Sequence, residues 1–360
     1  MSKPVIVVED DPFTRLIQIA LDPTTPEERV KGFTDFMAHD EPDFAGWIAR
    51  VRNGSANIVP AEVRLVGSED DMRANLKDAV AVVTESLRVG ADDLAAGGKL
   101  QVVQKFGTGL RNIDADACAK KGVKVLTLRR RANISCAEHF FALMLTLARR
   151  METISGLVTA KRIKDAGITL RPFDRRHTPG GNFPRIGGLK ALNESTIGIL
   201  GFGEIGKEIA LRAKAFGMRV LYHQRTRAPE AEERESGATY VSLPTLMAES
   251  DWIAPQVPTL PSTRNLIGRD ELSRMKPGAC IVNVANAPIV NREALMEALR
   301  AGRLGGVAMD IHYQEPVADD DELLSFGNVV LTPRMAGSPR HNGLKDFEQL
   351  ITGLAREIRL

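Results

Sequence analysis

A short stretch at residues 201–206 (GFGEIG) places three glycines in the spacing G-x-G-x-x-G. It directly follows an apolar run, residues 197–200, and opens a segment with helical spacing. In this setting Gly201 permits a tight turn, Gly203 lets the backbone approach a pyrophosphate, and Gly206 allows a helix to pack closely on a strand. The first turn of the helix adds N–H donors and a partial positive charge. The stretch therefore predicts a dinucleotide-binding turn, against the alternative of a chance glycine-rich turn.

The residues after the next strand indicate which dinucleotide binds. The strand pattern at 219–222 is followed by HQRTR, which contains no acid to hold the 2′-hydroxyl of an adenine ribose. His223 occupies the place of that acid, and Arg225 and Arg227 follow. Because the donor fork of a guanidinium matches phosphate oxygens, this pattern favours a 2′-phosphate. We expect NADP(H) to be preferred, with NAD(H) possible if the two arginines belong only to a solvated basic loop.

Apolar strands alternate with helical segments along the chain, and these elements must position the turn. The predicted strands lie at 4–8, 79–84, 100–104, 123–127, 196–200, 219–222, 251–256, 279–284, 306–311 and 328–331. The predicted helices lie at 72–77, 91–96, 113–121, 135–150, 204–216, 243–249, 270–275, 292–301 and 342–359. Repeated strand–helix–strand units imply mostly parallel sheets, and 360 residues suggest two domains.

Three further segments stand out from this alternation. Residues 22–61 are charged but carry Phe44 and Trp47, and we expect a helical insertion over a sheet edge, without a functional interpretation. The helix at 135–150 is apolar around much of its surface, which indicates burial in a core or at a subunit interface. Residues 161–193 are rich in Gly, Pro and Arg and predict a long loop, and loops of this kind often carry function.

Composition and charge exclude several classes of protein. The formal net charge is +2, and the basic run at 129–131 is too short for a nucleic-acid surface. The three cysteines form no C-x-x-C pair, which fits a reducing cytoplasm. The apolar residues 5–8 are too few for a secretory signal, and the longest apolar run, around 140–148, is too short to span a bilayer. We expect a cytoplasmic protein with no nucleic-acid partner and no membrane association.

The order of motifs resembles the D-2-hydroxyacid dehydrogenases, including the glyoxylate and hydroxypyruvate reductases. The stretches that carry the resemblance are 100–114 (LQVVQKFGTGLRNID), 135–139 (SCAEH), 275–294 (MKPGACIVNVANAPIVNREA), 306–316 (GVAMDIHYQEP) and 331–337 (LTPRMAG). The resemblance implies two Rossmann- or flavodoxin-like domains with doubly wound parallel sheets. Residues 1–133 and 340–360 would form the substrate domain, to which the C-terminal helix returns, and 134–339 the dinucleotide-binding domain. It also implies a homodimer, since in the family the helix at 135–150 packs against its symmetry mate.

The catalytic residues of that family are only partly retained. The family uses an arginine for the substrate carboxylate, a histidine for proton transfer and a glutamate that hydrogen-bonds the histidine. Here Asn286 stands where the arginine is expected and Arg334 where the histidine is expected, while Glu315 is retained. An arginine has a pKa above about 12, so Arg334 cannot shuttle a proton near neutral pH. We expect it to form an ion pair with Glu315.

His312 is a candidate for a relocated acid. It lies two residues after Asp310, on the strand that leads to Glu315, so period-two alternation would place both side chains on the same face. The alternative is a histidine that only packs under the cofactor loop. The backbone N–H groups of Gly107, Thr108 and Gly109 are expected to hold a substrate carboxylate, as the resemblance implies.

The resemblance thus implies an NAD(P)-dependent oxidoreductase acting on CH–OH groups, with an altered site. Its substrate would be a small 2-oxo or 2-hydroxy acid or a related non-standard compound. The alternatives are a cofactor-binding protein without dehydrogenase activity, acting as a sensor or partner subunit, and a non-redox enzyme that uses the bound cofactor. No metal site is predicted. The expected cofactor-binding residues are Gly201, Gly203, Glu204, Ile205, Gly206, His223, Arg225, Arg227, Val257, Pro258, Thr263, Val284 and Asp310.

Overall fold

The computed structural model describes residues 3–171 and 173–360. The chain forms two compact units, one of Met1–Ser135 together with Gly337–Leu360 and one of Cys136–Ala336. The β-strands are β1 (Val5–Glu9), β2 (Glu62–Val66), β3 (Ala79–Thr84), β4 (Val102–Lys105), β5 (Lys124–Leu126), β6 (Thr196–Leu200), β7 (Arg219–His223), β8 (Ala238–Tyr240), β9 (Trp252–Pro255), β10 (Cys280–Asn283), β11 (Gly306–Met309) and β12 (Val329–Leu331).

The helices cover the faces of the sheets within each unit. They are α1 (Arg15–Leu21), α2 (Glu27–Met37), α3 (Phe44–Gly54), α4 (Glu69–Ala74), α5 (Ala91–Ala96), α6 (Ala115–Lys120), α7 (Arg131–Arg149), α8 (Met151–Ile154), α9 (Ala160–Asp165), α10 (Glu204–Ala215), α11 (Glu230–Ser236), α12 (Leu243–Glu249), α13 (Arg269–Arg274), α14 (Arg292–Arg300) and α15 (His341–Glu357). Short 3₁₀ turns lie at Ala56–Ile58, Ala287–Ile289 and Glu322–Ser325. In the described residues, no helix has the length and apolar character required to cross a membrane.

The first unit is built on a parallel sheet which, in the described residues, has five strands in the order β2-β1-β3-β4-β5. Both faces are covered, and β1 shows how: Val5 and Val7 join one hydrophobic cluster, while Ile6 and Val8 join another. Residues that are apolar on both faces are the expected signature of a covered parallel sheet. The order is that of a doubly wound fold, as predicted from the resemblance.

The segment at 22–61 is helical, as expected, and Oδ2 of its first residue, Asp22, accepts from the backbone N–H of Val63 on the edge strand β2. Phe44 and Trp47 are buried with their rings stacked 5.4 Å apart. They lie in the same core as Ile6, and α3 packs against α1 and α15. The edge strand itself, β2, was not predicted from the sequence.

The C-terminal helix completes this core. Five large apolar side chains of α15 are buried in it: Leu344, Phe347, Leu350, Ile351 and Leu354. Their spacing places them on one side of the helix. Burying a side chain of this size contributes about 1.5–3 kcal/mol. The return of the last helix to the first unit, which the resemblance implied, is confirmed.

In the described residues, the second unit has a parallel sheet with the order β12-β11-β10-β9-β6-β7-β8. The chain starts in the middle at β6, adds β7 and β8 on one side, then returns to add β9 to β12 on the other. The point of reversal, between β6 and β9, is where ligands bind in open α/β sheets, beyond the carboxyl ends of the strands. The glycine turn follows β6 directly. Strand β8 and helix α11 of this unit were not predicted from the sequence.

The long helix α7 is buried mainly within its own unit. Phe140, Met144 and Ala148 belong to a hydrophobic core cluster that also contains Ile197 of β6. Most apolar side chains around α7 are therefore accounted for by packing within one chain. The dimer predicted from that helix remains a prediction.

Candidate functional site

Two of the three glycines of the turn are required by packing within the protein. Gly201 has φ +100°, and a Cβ there would lie 2.5 Å from the carbonyl oxygen of Gln256. A Cβ on Gly206 would lie 2.5 Å from the carbonyl oxygen of Gly201. A Cβ on Gly203, at the N-terminus of α10, would meet no atom within 4 Å. Gly203 thus faces open space, as expected of a position where the protein backbone approaches a ligand.

Two buried amide groups flank this turn. Gln224 follows β7 and Gln256 follows β9, the two strands that lie beside β6. The Nε2 atoms of both are buried without a hydrogen-bond partner among the described residues. Buried donors without partners are costly, so groups of this kind point to a ligand that supplies acceptors. The turn and the two amides fit a phosphate-bearing dinucleotide. Neither glutamine was predicted as a site residue, although each follows the end of a strand.

The two arginines of the loop after β7 differ in their contacts. Arg227 makes two hydrogen bonds of 2.8 Å to the carboxylate of Glu233, from Nε and from Nη2. The hydroxyl of Tyr222 donates to the same carboxylate at 2.6 Å. Arg225 is exposed and makes no ion pair within the described residues. His223 is held in place because its Nδ1 donates to the carbonyl of Val241 at 2.8 Å.

These contacts shift two ionisation equilibria. The hydrogen bonds from Arg227 and then Tyr222 lower the pKa of Glu233 to about 2. Burial, followed by the hydrogen bond to Glu233, raises the pKa of Tyr222 to about 12. Arg227 is therefore engaged in a structural ion pair, and Arg225 is the arginine of this loop whose guanidinium faces solvent.

The loop after β9 closes on itself. The hydroxyl of Thr263 donates to the carbonyl of Pro258 at 2.6 Å and accepts from the backbone N–H of Leu260 at 2.8 Å. The carbonyl of Val257 lies 3.5 Å from Nδ2 of Asn286. The structure thus places three of the predicted cofactor residues in one loop beside β9.

Asn283, at the end of β10, fixes the turn that carries Asn286. Its Oδ1 accepts from the backbone N–H groups of Ala285 at 3.0 Å and Asn286 at 3.2 Å, and its Nδ2 donates to the carbonyl of Asn286 at 2.9 Å. Val284 is buried beside this turn. Asn286 contributes a neutral amide here, so the turn has no positive charge to offer a carboxylate.

Asp310, directly after β11, binds the last loop of the second unit. Its buried carboxylate accepts from the hydroxyl of Thr332 at 2.6 Å and from the backbone N–H groups of Met335 at 2.9 Å and Ala336 at 2.8 Å. Nε2 of His139 lies 3.3 Å away. Burial alone would raise the pKa of Asp310, but these hydrogen bonds outweigh it and lower the pKa to about 2. His139 was not predicted as a site residue, since it lies in the helix expected to be mostly apolar.

His312 is not placed by strand alternation. Strand β11 ends at Met309, so the argument that put His312 and Asp310 on one strand face is wrong. Instead, Nε2 of His312 donates to the carbonyl of Thr332 at 2.8 Å. Its backbone N–H donates to Oε1 of Glu315 at 3.1 Å.

Arg334 and Glu315 form the ion pair that the sequence predicted. Nη1 of Arg334 lies 2.5 Å from Oε2 of Glu315, with the side chains 65% and 29% exposed. Burial would raise the pKa of Glu315, but the hydrogen bond from Arg334 helps to lower it. Both partners stay charged near neutral pH, so the pair has no proton to exchange there.

The predicted carboxylate loop lies in the first unit, after β4. Gly107 has φ +149°, and its carbonyl accepts from the backbone N–H of Leu128 at 2.8 Å. Thr108 and Gly109 follow in the same turn, and Nδ2 of Asn112 donates to the carbonyl of Leu87 at 2.7 Å. These contacts tie the loop to the chain after β3.

A second feature of this unit, missed from the sequence, is the carboxylate of Glu9 at the end of β1. Its Oε2 accepts from the backbone N–H groups of Glu85 at 2.7 Å, Ser86 at 2.8 Å and Leu87 at 3.0 Å. Burial alone would raise the pKa of Glu9, but these hydrogen bonds lower it. Nη1 of Arg130 pairs with Glu85 at 2.5 Å. The carboxyl ends of β1 and β3 are thus joined by hydrogen bonds from backbone N–H groups to a carboxylate.

The fold and the glycine turn define a dinucleotide-dependent protein, and comparison with known proteins places it further. Residues 141–336 match the NAD binding domain of the D-isomer specific 2-hydroxyacid dehydrogenases. The chain is 35% identical to a glyoxylate reductase of Thermococcus litoralis over 272 residues, 76% of this chain and 77% of the relative. It is also 35% identical to a hydroxypyruvate reductase of Thermotoga maritima over 281 residues, 78% of this chain and 84% of the relative.

A likeness to solved structures confirms the fold. D-mandelate dehydrogenase of Rhodotorula graminis aligns with a TM-score of 0.55 and 24% identity, covering 98% of this chain and 93% of that chain. This protein belongs to the D-isomer-specific 2-hydroxyacid dehydrogenase family. It is an NAD(P)-dependent oxidoreductase, so the family, the fold class and the enzyme class expected from the sequence are confirmed.

Proposed function

We propose that this protein is an NADP(H)-preferring oxidoreductase that acts on a small 2-oxo or 2-hydroxy acid, or on a related non-standard compound, at an altered site. The observation that carries the proposal is the coexistence of a complete glycine turn at 201–206 with an Arg334–Glu315 ion pair. The glyoxylate and hydroxypyruvate reductases among its relatives support a small oxo acid as the substrate class. A cytoplasmic location, inferred from cysteine usage, is part of the proposal.

The second unit would bind the cofactor. A bound nicotinamide dinucleotide supplies or accepts a hydride. The backbone around Gly203 and the first turn of α10 would hold its pyrophosphate. Arg225 would bind the 2′-phosphate, because its guanidinium faces solvent while that of Arg227 is held by Glu233. Val284 and Asp310, at the ends of β10 and β11, would lie beside the nicotinamide.

The first unit would bind the substrate. Backbone N–H groups of Gly107, Thr108 and Gly109 would hold a carboxylate without the help of a guanidinium at position 286. The amide of Asn286 would contribute one neutral hydrogen bond, which is weaker than a charge-assisted one. A substrate without the usual 2-oxo acid geometry would lose the least binding free energy from having Asn286 in place of an arginine.

The proton would come from His312 in this proposal. Since its Nε2 donates to Thr332, Nδ1 is the ring atom that remains for a ligand. A change of His312→Phe should then abolish turnover while leaving NADPH binding intact. If turnover persists in that variant, His312 is not the acid and only packs under the loop.

One observation favours a second candidate, a cofactor-binding protein without dehydrogenase activity. Arg334 and Glu315 stand in place of the family's histidine–glutamate pair, and both groups keep a fixed charge, so neither can transfer a proton near neutral pH. A non-redox enzyme that uses the bound cofactor is a variant of the same alternative. Fluorescence titration with NADPH, followed by turnover assays on a panel of 2-oxo and 2-hydroxy acids and other carbonyl compounds, separates these functions. Tight binding with turnover of one compound class supports the enzyme; tight binding without turnover or conversion of any compound supports the sensor.

A further inference from the structure

His139 extends from α7 to the end of the sheet in the second unit. Its Nε2 lies 3.0 Å from Oγ1 of Thr332 and 3.3 Å from Oδ1 of Asp310. The hydroxyl hydrogen of Thr332 is already donated to Asp310, at 2.6 Å. The contact therefore requires a hydrogen on Nε2, and His139 acts as the donor in both its neutral and its charged form.

The carboxylate that receives this contact is enclosed. The side chain of Asp310 is 1% exposed and that of His139 is 18% exposed. Two backbone N–H groups, of Met335 and Ala336, bind the same carboxylate. Asp310 directly follows β11, on the side of the switch point where the second half of a dinucleotide lies in this fold.

We propose that His139 is a positioning residue that sets how strongly the Asp310 carboxylate distinguishes oxidised from reduced nicotinamide. This inference rests on the proposed function, because it needs a bound cofactor. An oxidised nicotinamide ring carries a positive charge and a reduced ring carries none. A nearby carboxylate stabilises the oxidised form selectively. A hydrogen bond donated to that carboxylate weakens its electrostatic attraction for the charged ring.

Other charged groups near His139 are engaged elsewhere and would be unchanged by its replacement. Glu138, its neighbour on α7, lies 3.5 Å from Arg212, which also binds Glu208. His312 meets the carbonyl of Thr332 rather than its hydroxyl. The effect of changing His139 is therefore directed at Asp310 and Thr332.

The test compares the dissociation constants of NADP⁺ and NADPH in full-length variants. In His139→Leu, the ratio Kd(NADP⁺)/Kd(NADPH) should fall by roughly threefold to tenfold, the size of one screened charge contact. His139→Gln keeps an N–H donor and should restore most of the original ratio. His39→Leu is a matched control, because His39 also lies 3.3 Å from an aspartate, Asp40, but in the first unit. Its ratio should equal that of the unmodified protein.

The outcomes are distinguishable. A purely structural role for His139 weakens both forms equally and leaves the ratio unchanged, and this result overturns the inference but not the proposed function. Absence of binding by the unmodified protein overturns both. If His139→Leu does not fold, His139→Asn, whose amide is too short to reach Thr332, replaces it, and an unchanged ratio there counts equally against the inference.

Discussion

Nη1 of Arg334 and Oε2 of Glu315 are 2.5 Å apart in the second unit, at the positions that correspond by resemblance to the family's histidine and glutamate. A positioned general acid contributes about 10²–10⁴-fold to a rate, and a guanidinium cannot serve as one near neutral pH. The unmodified protein should therefore reduce glyoxylate, pyruvate and hydroxypyruvate poorly. The double change Asn286→Arg with Arg334→His should raise that activity.

Steady-state kinetics on these three acids checks this prediction. Each single change should do less than the pair, because residues that act as one unit are not additive. Turnover of glyoxylate by the unmodified protein at a rate of about 10 s⁻¹ or more, ordinary for enzymes, would show that our interpretation of the altered residues is wrong.

The two arginines after β7 should differ in their effect on cofactor affinity. Arg225→Ala should weaken NADPH by roughly tenfold or more, the loss of a charge-assisted contact, and leave NADH almost unchanged. Arg227→Ala should mainly lower Tm, because it leaves the buried carboxylate of Glu233 without its guanidinium. Fluorescence titrations with both cofactors, beside thermal unfolding, test this. Tighter binding of NADH than NADPH by the unmodified protein contradicts the proposed preference.

The glycine turn offers a pair of substitutions that separates folding from binding. Gly203→Ala adds a methyl group that meets no protein atom within 4 Å, so Tm should hardly change while cofactor binding is lost. Gly201→Ala forces a Cβ to within 2.5 Å of the Gln256 carbonyl at φ +100°, which should cost about 1–3 kcal/mol of stability. Thermal unfolding with and without NADPH distinguishes the two. Normal cofactor affinity in Gly203→Ala counts against the turn as the phosphate site.

The second unit should lose stability in acid partly through Glu233. In the folded protein its pKa is about 2, below the ordinary value of 4.5, so its ion pair stabilises the fold above pH 4.5. That stabilisation is lost progressively as pH falls from 4.5 toward 2. Glu233→Gln should therefore lower Tm by roughly 2–4 °C at pH 7, and the difference should shrink by pH 3. Glu230→Gln, which removes an exposed pair with Arg234 on the same helix, is the control and should change Tm little at either pH.

The protein is predicted to be a homodimer. The resemblance suggested α7 as the contact, although most of its apolar residues are buried within its own unit. Ala142 and Leu145 remain at least partly exposed on that helix and would face a partner. Light scattering at micromolar concentration should give twice the 39.3 kDa of one chain. A mass of one chain would remove the dimer from the proposal.

The fold could be predicted well because its signals are local and repeated. The alternation of apolar strands and helices located most elements, and the glycines at 201–206 indicated a dinucleotide-binding turn before any sheet order was known. Strands β2 and β8 were missed since they lie at sheet edges, and their sequences, EVRLV and ATY, lack a long apolar run.

The site was less predictable because its contacts join residues far apart in the chain. The Arg334–Glu315 pair followed from the resemblance, which places the two residues together. His139, by contrast, is separated from Asp310 by 171 positions and looked like part of an apolar helix. His312 was misplaced because β11 ends at Met309, two residues before the predicted strand end, and side chains do not alternate between two faces beyond the end of a strand.

The contribution of α15 to the first unit affects how the protein is made. The strands of the first unit precede the second unit in the chain, but Phe347, Leu350 and Leu354, which fill their core, are translated only after the second unit. The second unit is continuous in sequence and is complete once Ala336 has left the exit tunnel. The second unit can therefore fold before the first, and the first unit exposes an apolar face to chaperones until α15 has been translated.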